Sequence, residues 1–217
     1  MFADESKVDA ELNADVEQAL AQAGEDQLFP IVQLGEPVLR QQAEVYNGQL
    51  KHETLVKLIE AMRQTMHEAP GVGLAAPQIG LGLAFAVLED HVRDDEDDPR
   101  EIAEMPFRVI INPRYEPISD VTASFFEGCL SFEGYQAVRR RWVDIKAYWE
   151  DENGKAHEER LHGWPARIFQ HETDHLSGEV YIDKAQLRSL TSDENLGEYW
   201  AYDPVPAQAA EELGFEL

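Results

Sequence analysis

The feature that most constrains the fold of this chain is the stretch of residues 163–178, GWPARIFQHETDHLSG, which predicts one short helix. Pro165 suits the first turn of a helix, where the missing N–H group costs nothing, and Gly178 suits the left-handed residue that ends a helix. Both ends of the helix are therefore marked in the sequence.

One face of this helix carries titratable side chains where an amphipathic helix normally carries apolar ones. Four residues follow the i, i+3, i+4, i+7 spacing of a single helical face: Ile168, His171, Glu172 and His175. Burying such groups costs several kcal/mol unless a partner satisfies them, and two imidazoles flanking a carboxylate match the HExxH metal motif. An accidental match on a solvated helix has a chance of roughly a few per cent. The motif therefore predicts a divalent metal ion without specifying the reaction.

Length and charge limit the class of protein. The 217 residues, 43% of them hydrophobic, can form one domain with tails. A net charge of −25 disfavours direct binding to nucleic acid or to an anionic membrane. No apolar run approaches the roughly 18 residues that span a bilayer, and the N-terminus does not resemble a signal peptide. We therefore expect a cytoplasmic protein with no membrane partner.

Two further segments carry candidate site residues. The single cysteine, Cys129, excludes a disulfide framework, so its thiol is a small buried hydrophobe, a reactive group or a metal ligand. Residues 71–80, GVGLAAPQIG, superficially match a dinucleotide fingerprint, but they follow a predicted helix and meet Pro77, whereas the fingerprint opens a helix. Small residues here permit close approach of another backbone, and Gln78 can direct an amide donor to a carbonyl group. A plain glycine turn is the alternative.

The remaining patterns predict an α+β fold, with short antiparallel β-sheets packed around the central helix that carries HExxH. Apolar residues at helical spacing predict a core-facing helix over residues 51–68. The predicted strands cover residues 28–35, 83–88, 108–112 before a turn at Pro113, 122–126 and 180–182, and a hairpin joins 143–149 to 155–161. Residues 89–104 are predicted to form a charged surface loop, because their carboxylates lack the spacing of a calcium loop.

The acidic ends divide the chain into three expected regions: an N-terminal extension (1–27), a central domain (28–188) and a C-terminal tail (189–217). Apolar residues every four positions predict an amphipathic helix between residues 4 and 23, and a solvated acidic arm is the alternative. These apolar residues are Val8, Leu12, Val16 and Leu20. Residues 192–217 contain seven acidic residues and no Lys or Arg, so we expect a tail on the surface.

Three segments together resemble the motifs of one enzyme family. GVGLAAPQ at residues 71–78, EGCLS at 127–131 and QHETDH at 170–175 resemble the three motifs of peptide deformylase, in the same order and with similar separations. The resemblance covers roughly residues 29–183 and implies an α+β fold with antiparallel sheets around the HExxH helix. It also implies removal of the formyl group from the N-terminal formyl-methionine of newly made bacterial proteins, with a formylated nascent peptide as substrate.

The resemblance implies a metal centre with a defined proton carrier. Cys129, His171 and His175 would be the metal ligands, with water in the fourth position, which is the arrangement of a catalytic site rather than a structural one. Glu172 matches the general base and acid. The implied cofactor is one divalent metal ion, natively Fe(II) in many bacterial deformylases, and the same ligand set accepts Zn(II), Ni(II) or Co(II).

The resemblance also implies groups that contact the substrate. Gln78 and the backbone N–H of Leu130 would stabilise the oxyanion formed on the formyl carbon, and Gly73 would bind the substrate backbone in an extended pose. Arg139 corresponds to an arginine near the substrate entrance; Arg140 and Arg141 follow directly, and a shift of register would place one of them there instead. Glu127 would pair with such an arginine, or would form a structural ion pair.

Two other functions fit parts of the sequence. An HExxH peptidase usually takes a third His or Glu ligand from beyond the helix, but no histidine follows His175. A structural metal site in an interaction domain needs a fourth protein ligand, and none is evident near Cys129 or His171.

Bacterial deformylases can also end in a basic helix proposed to contact the ribosome near the exit tunnel, whereas this C-terminal tail is acidic.

Overall fold

A computed structural model describes residues 5–23, 28–91 and 98–217 of the chain. The helices are α1 (Ala10–Gln22), α2 (His52–Glu68), α3 (Gly163–Leu176), α4 (Asp193–Asn195) and α5 (Ala207–Leu213). The strands are β1 (Gly73–Ala75), β2 (Phe85–Asp90), β3 (Met105–Pro117), β4 (Thr122–Cys129), β5 (Phe132–Trp142), β6 (Asp144–Glu150), β7 (Ala156–His162) and β8 (Thr191–Ser192). No helix within these ranges is both long and apolar enough to cross a lipid bilayer.

The strands form two antiparallel sheets, which confirms the predicted α+β fold. One sheet has the order β1-β2-β3-β6-β7 and the other has the order β4-β5-β8, so β1 and β4 are both edge strands. The predicted hairpin is β6 and β7, paired from Asp144 opposite His162 to Glu150 opposite Ala156. Within the described ranges, no strand pairs with the outer edge of β1, and such an edge can pair with another extended chain.

Helix α3 lies between the two sheets and contacts strands of both. It ends where the sequence predicts, because Gly178 adopts a φ of 77°, which a residue with a side chain rarely adopts. Ala166, Phe169 and Leu176 join the core cluster of the larger sheet, and the rings of Phe169 and Trp149 lie 5.8 Å apart. The helix is therefore anchored by an apolar face opposite its titratable one.

The first two helices pack on each other and on the same core. The five apolar residues of α2 that carry the predicted stripe are all buried: Leu55, Leu58, Ile59, Met62 and Met66. Val16 of α1 is fully buried against this cluster, and Asn13 Oδ1 accepts a hydrogen bond from the backbone N–H of Lys51 at 2.9 Å. The helical alternative for the N-terminal region is thus correct, although residue 4 of the predicted range lies outside the described residues.

Two predicted strands are wrong. Residues 28–35 form no ladder; Val32 N–H donates to the carbonyl of Gln78, and Leu34 N–H donates to that of Ser131, each at 2.9 Å. This segment therefore forms hydrogen bonds with the turn after β1 and with the turn after β4, instead of pairing with one strand. Residues 180–182 enter a 3₁₀ turn, Tyr181–Lys184, because the side chain of Asp183 accepts the N–H of Val180 at 2.9 Å and draws the backbone into a turn.

The turn predicted at Pro113 is also wrong, since β3 continues through it to Pro117. The pairing with β6 shifts register between Ile111 and Arg114, and Asn112 adopts a φ of 49° there. A β-bulge thus accommodates the proline within the strand. The predicted loop 89–104 begins later, because residues 89 and 90 belong to β2, and residues 92–97 lie outside the described ranges.

The C-terminal residues form helical turns on the surface. Residues 196–200 form a π-helical turn after α4, and α5 follows. Arg188 Nε donates to the carbonyl of Leu213 at 2.7 Å, and Ala209 is buried. The acidic tail therefore folds back on the domain.

Candidate active site

The three predicted metal ligands converge where the end of β4 meets α3. One ligand atom from each of Cys129, His171 and His175 lies within 4.8 Å of the other two, and Cys129 Sγ is 3.3 Å from His175 Nε2. Donor atoms held at about 2.0–2.3 Å around one tetrahedral ion lie roughly 3–4 Å apart, so this set fits a small divalent cation. No other such group of ligands occurs among the described residues.

The imidazole of His171 is oriented by a buried carboxylate. Its Nδ1 lies 3.1 Å from Oε2 of Glu127, which leaves Nε2 for the cation. Burial opposes charge on His171, but hydrogen bonds with Cys129 and Glu127 raise its pKa to about 10. Because a metal ligand must be unprotonated, a bound cation replaces this proton.

Glu127 is itself held by two buried arginines. Arg141 donates to both of its carboxylate oxygens, at 2.6 and 3.0 Å, and Arg167 donates to Oε1. Burial favours the neutral acid, but Arg141, His171 and Arg167 together keep the pKa of Glu127 well below its usual range. The carboxylate therefore stays ionised beneath the ligand set.

Glu172 is a buried carboxylate with one free oxygen. It is 4% exposed, and its Oε2 has no hydrogen-bond partner within the described part of the chain. Burial raises the pKa of Glu172 to about 7, against the opposing charges of His171 and Arg141. A group with this pKa can both accept and donate a proton near neutral pH.

The side-chain amide of Gln78 is fixed with its nitrogen facing the ligands. Its Oε1 accepts the N–H of Ala75 at 2.8 Å, so Nε2 is directed to Cys129 Sγ at 3.6 Å and to Ser131 Oγ at 3.3 Å. Leu130 follows Cys129 directly, and its carbonyl accepts a hydrogen bond from Gln33 Nε2 at 3.0 Å. The turn after β4 is thereby held against residues 28–35.

These groups line one cavity of about 1050 Å³ between β1, the ends of β4 and β5, and α3. Its walls contain nearly every predicted site residue: Gly73, Gln78, Glu127, Cys129, Leu130, His171 and Glu172. His175 lies behind this wall and is 1% exposed. The cavity therefore opens onto the ligand set and is large enough for a short peptide.

Arg139 does not lie where the sequence analysis expected it. It is buried away from the cavity wall, and its Nη2 donates to Glu179 at 2.7 Å. Side chains alternate along β5, so Arg139 and Arg141 face the interior while Arg140 is exposed. The arginines that pair with Glu127 are thus Arg141 and Arg167, and Arg139 does not line the cavity.

A buried network of charged side chains lies behind the ligands and was not predicted from the sequence. Arg141 bridges Glu127 and Asp174, and Asp174 also accepts from Tyr115 at 2.9 Å. Arg167 lies one turn before His171 on α3. The three consecutive arginines and the acidic residues of the helix were the available signal, but their pairing depends on contacts between elements.

Known proteins resemble this chain along most of its length. Residues 28–190 match the sequence model described as polypeptide deformylase. Peptide deformylase 1 of Bifidobacterium longum (strain NCC 2705) is 71% identical, with 100% of both chains covered. The crystal structure of peptide deformylase from Thermotoga maritima is 37% identical, with a TM-score of 0.61 over 72% of this chain and 97% of that one.

A second solved structure carries a peptide. It is the Met-Ala-Ser bound class I type b peptide deformylase from Acinetobacter baumannii, which is 31% identical, with a TM-score of 0.65 over 72% of this chain and 98% of that one. Both the sequence and the structural matches extend well beyond the three motifs. The chain therefore belongs to the polypeptide deformylase family, the metal-dependent hydrolases that remove the formyl group from the N-terminal formyl-methionine of newly synthesised proteins.

Proposed function

We propose that Cys129, His171 and His175 hold the divalent metal ion of this deformylase, and that Glu172 carries the proton in each turnover. The supporting observation is the convergence of three donor atoms within 4.8 Å beside a buried carboxylate with a free oxygen among the described contacts. When bound, a divalent cation polarises the formyl carbonyl group and makes water acidic enough to attack it near neutral pH.

Glu172 supplies the proton transfers that amide hydrolysis requires. It accepts a proton from the attacking water and then donates it to the amine that leaves as the new N-terminus. A pKa of about 7 serves both steps, because neither protonation state is strongly preferred at neutral pH. Burial of the carboxylate also limits proton exchange with bulk solvent.

Gln78 and the backbone N–H of Leu130 stabilise the negative charge that develops on the formyl oxygen. The amide nitrogen of Gln78 is already directed towards the ligands, because its oxygen is held by the N–H of Ala75. A donor fixed before the reaction needs no reorganisation when charge develops, and one such donor contributes roughly 100- to 1000-fold in kcat.

The substrate lies as an extended strand along Gly73. One edge of β1 pairs with no strand that the structure describes, and the cavity is lined at the start of this strand by Gly71, Val72 and Gly73. Backbone hydrogen bonds at such an edge bind a peptide with little dependence on its sequence, which suits an enzyme that acts on many nascent chains. Glu127 orients His171 rather than contacting the peptide, because its oxygens accept hydrogen bonds from protein groups.

The native metal is Fe(II), as the resemblance to bacterial deformylases implies; Zn(II), Ni(II) and Co(II) are the alternatives that the same ligands accept. An iron site with a thiolate ligand is sensitive to oxygen. Protein prepared without oxygen should contain iron and lose activity in air, and nickel substitution should protect it. A zinc-loaded, fully active protein that is indifferent to air would contradict the assignment of iron.

The enzyme acts in the cytoplasm on formylated chains as they leave the ribosome. Residues 28–188 form the catalytic domain, between the acidic extensions at residues 1–27 and 189–217, and every proposed ligand and catalytic residue lies within this domain. Helix α5 carries Glu211 and Glu212 and no basic residue, so it gives no support to docking on ribosomal RNA. Co-sedimentation with ribosomes at low and high salt would test this contact.

The decisive experiment compares formyl-Met-Ala-Ser with acetyl-Met-Ala-Ser and free Met-Ala-Ser, using the metal-loaded protein. Formate release from the formylated peptide alone is expected. Cleavage of an internal peptide bond would instead support the HExxH peptidase. A folded, metal-loaded protein that turns over none of these peptides would indicate a structural metal.

A further inference from the structure

The C-terminal segment contributes a residue to the wall of the active-site cavity. The match to the family ends at residue 190, but β8 continues the smaller sheet by pairing with β5, Tyr135 opposite Ser192 and Gln136 opposite Thr191. The next residue, Asp193, lies in the cavity wall. This part of the wall is therefore built from chain beyond the matched family segment.

The side chain of Asp193 is held in place while its charge remains exposed. Gln136 Nε2 donates to Asp193 Oδ1 at 3.1 Å, and Gln136 lines the same cavity. Asp193 follows Ser192, whose Oγ accepts the N–H of Asn195 and fixes the turn at the start of α4. The carboxylate is thus positioned at the mouth of the cavity by the sheet and by the turn.

The other charged groups of the cavity reinforce the negative sign. Glu68 and Glu133 are exposed in its wall and, like Asp193, form no ion pair with any residue that the structure describes. The two arginines in the wall are both paired, Arg100 with Asp98 at 2.6 Å and Arg167 with Glu127. A lysine or arginine side chain on the substrate would therefore be attracted by the exposed carboxylates at the mouth of the cavity.

We propose that Asp193 makes this deformylase favour peptides with Lys or Arg shortly after the formyl-methionine, and disfavour Asp or Glu at the same positions. The inference rests on the proposed function, because it requires an extended peptide lying along Gly73. Such a peptide advances about 3.3 Å per residue, so side chains two or three residues beyond methionine lie roughly 7–10 Å further along the cavity, and a long lysine side chain extends that reach.

The expected selectivity is moderate because the charges are partly solvated. Exposed charge pairs typically change an equilibrium by about two- to five-fold, and a change from Lys to Glu in the peptide replaces attraction by repulsion. We therefore expect kcat/KM for formyl-Met-Ala-Lys to exceed that for formyl-Met-Ala-Glu by about three- to ten-fold at low salt. The ratio should fall towards one in ~1 M salt, where the screening length is about 3 Å.

The test measures this Lys-to-Glu ratio in the metal-loaded full-length enzyme and in three variants. In Asp193→Asn the acceptor oxygen for Gln136 remains and the charge is lost, so the ratio should fall about two- to three-fold. In Asp193→Lys it should invert. Glu194→Gln removes an exposed charge that does not line the cavity and should leave the ratio unchanged.

The Lys-to-Glu ratio of kcat/KM, measured within one enzyme variant, reports selectivity alone. A general loss of turnover lowers both values equally and leaves their ratio unchanged. Turnover of uncharged formyl-Met-Ala-Ser in each variant reports whether the deformylase itself is intact, so failure of the proposed function is seen separately. A wild-type ratio near one at low salt would overturn the proposal. So would a wild-type preference for Lys that survives unchanged in both Asp193→Asn and Asp193→Lys.

Discussion

A Cβ atom added to Gly73 would lie 2.4 Å from Oε1 of Glu172 and 2.6 Å from its Cγ. The edge strand β1 and the helix α3 thus meet at a glycine, the one residue type that leaves space for the carboxylate of Glu172, the proposed proton carrier. Because Glu172 is buried, it cannot swing into solvent to make room. The proposed substrate-binding edge and the proposed proton carrier are therefore positioned by the same contact.

Gly73→Ala should consequently reduce kcat/KM by about 100-fold or more, since a displacement of about 1 Å in a catalytic group can cost that much. Gly82→Ala is the matched control, because a Cβ there would meet only Val38 Cγ2 at 3.9 Å. Deformylation rates of the two metal-loaded variants, with circular dichroism to confirm folding, provide the measurement. Equal activity of both variants would show that Glu172 does not need its present position.

Glu127→Gln should weaken both the fold and the metal site. The change removes the negative charge that Arg141 and Arg167 share in the interior, and breaking such a buried pair costs about 3–5 kcal/mol. Tm should fall by roughly 6–20 °C for a protein of this size. Metal affinity should fall about 10- to 100-fold, because His171 loses the charged acceptor that orients it and only a neutral amide oxygen remains. Thermal unfolding and metal titration would detect these effects, and unchanged metal affinity would contradict the orienting role.

Glu89 should make stability depend on pH in the acid range. Arg63 donates to both oxygens of this buried carboxylate, at 2.8 and 2.6 Å, and lowers its pKa below the usual value. The pair therefore stabilises the fold above the unfolded-state pKa of about 4.3, and this contribution is lost as pH falls through the lower folded-state pKa.

The difference in unfolding free energy between wild type and Glu89→Gln should accordingly be about 1–3 kcal/mol at pH 7 and should shrink below pH ~4. Denaturant unfolding between pH 3 and 7 would measure it. Glu216→Gln, a change of an exposed carboxylate, is the control and should give a difference near zero throughout. A difference for Glu89→Gln that does not vary with pH would exclude the ion pair as its cause.

The parts of the fold that the sequence predicted well are those determined by local patterns. Helix α3 follows from the proline and glycine at its ends and from the spacing of His171, Glu172 and His175. Helix α2 and the β6–β7 hairpin follow from periodicity and turn residues in the same way. The position of Cys129 beside the two histidines required the resemblance of three motifs, because no local pattern connects β4 with α3.

The features that could not be predicted depend on contacts between elements. The register of β5 against β4 decides that Arg141, rather than Arg139, meets Glu127. Residues 180–182 have strand-like composition, but one hydrogen bond, donated by the N–H of Val180 to the side chain of Asp183, makes them a turn. Asp193 enters the cavity only because β8 pairs with β5, and a two-residue strand leaves no periodic signal in a sequence.

The most direct test of the catalytic assignment is the turnover of Glu172→Gln with its metal content measured in the same sample. Glutamine keeps the shape of the side chain but cannot accept and return a proton. The metal should remain bound, since its three ligands are unchanged, and kcat on formyl-Met-Ala-Ser should fall by about 100- to 10,000-fold. Near-normal turnover by the metal-loaded variant would contradict the account, because the proton would then be carried by another group.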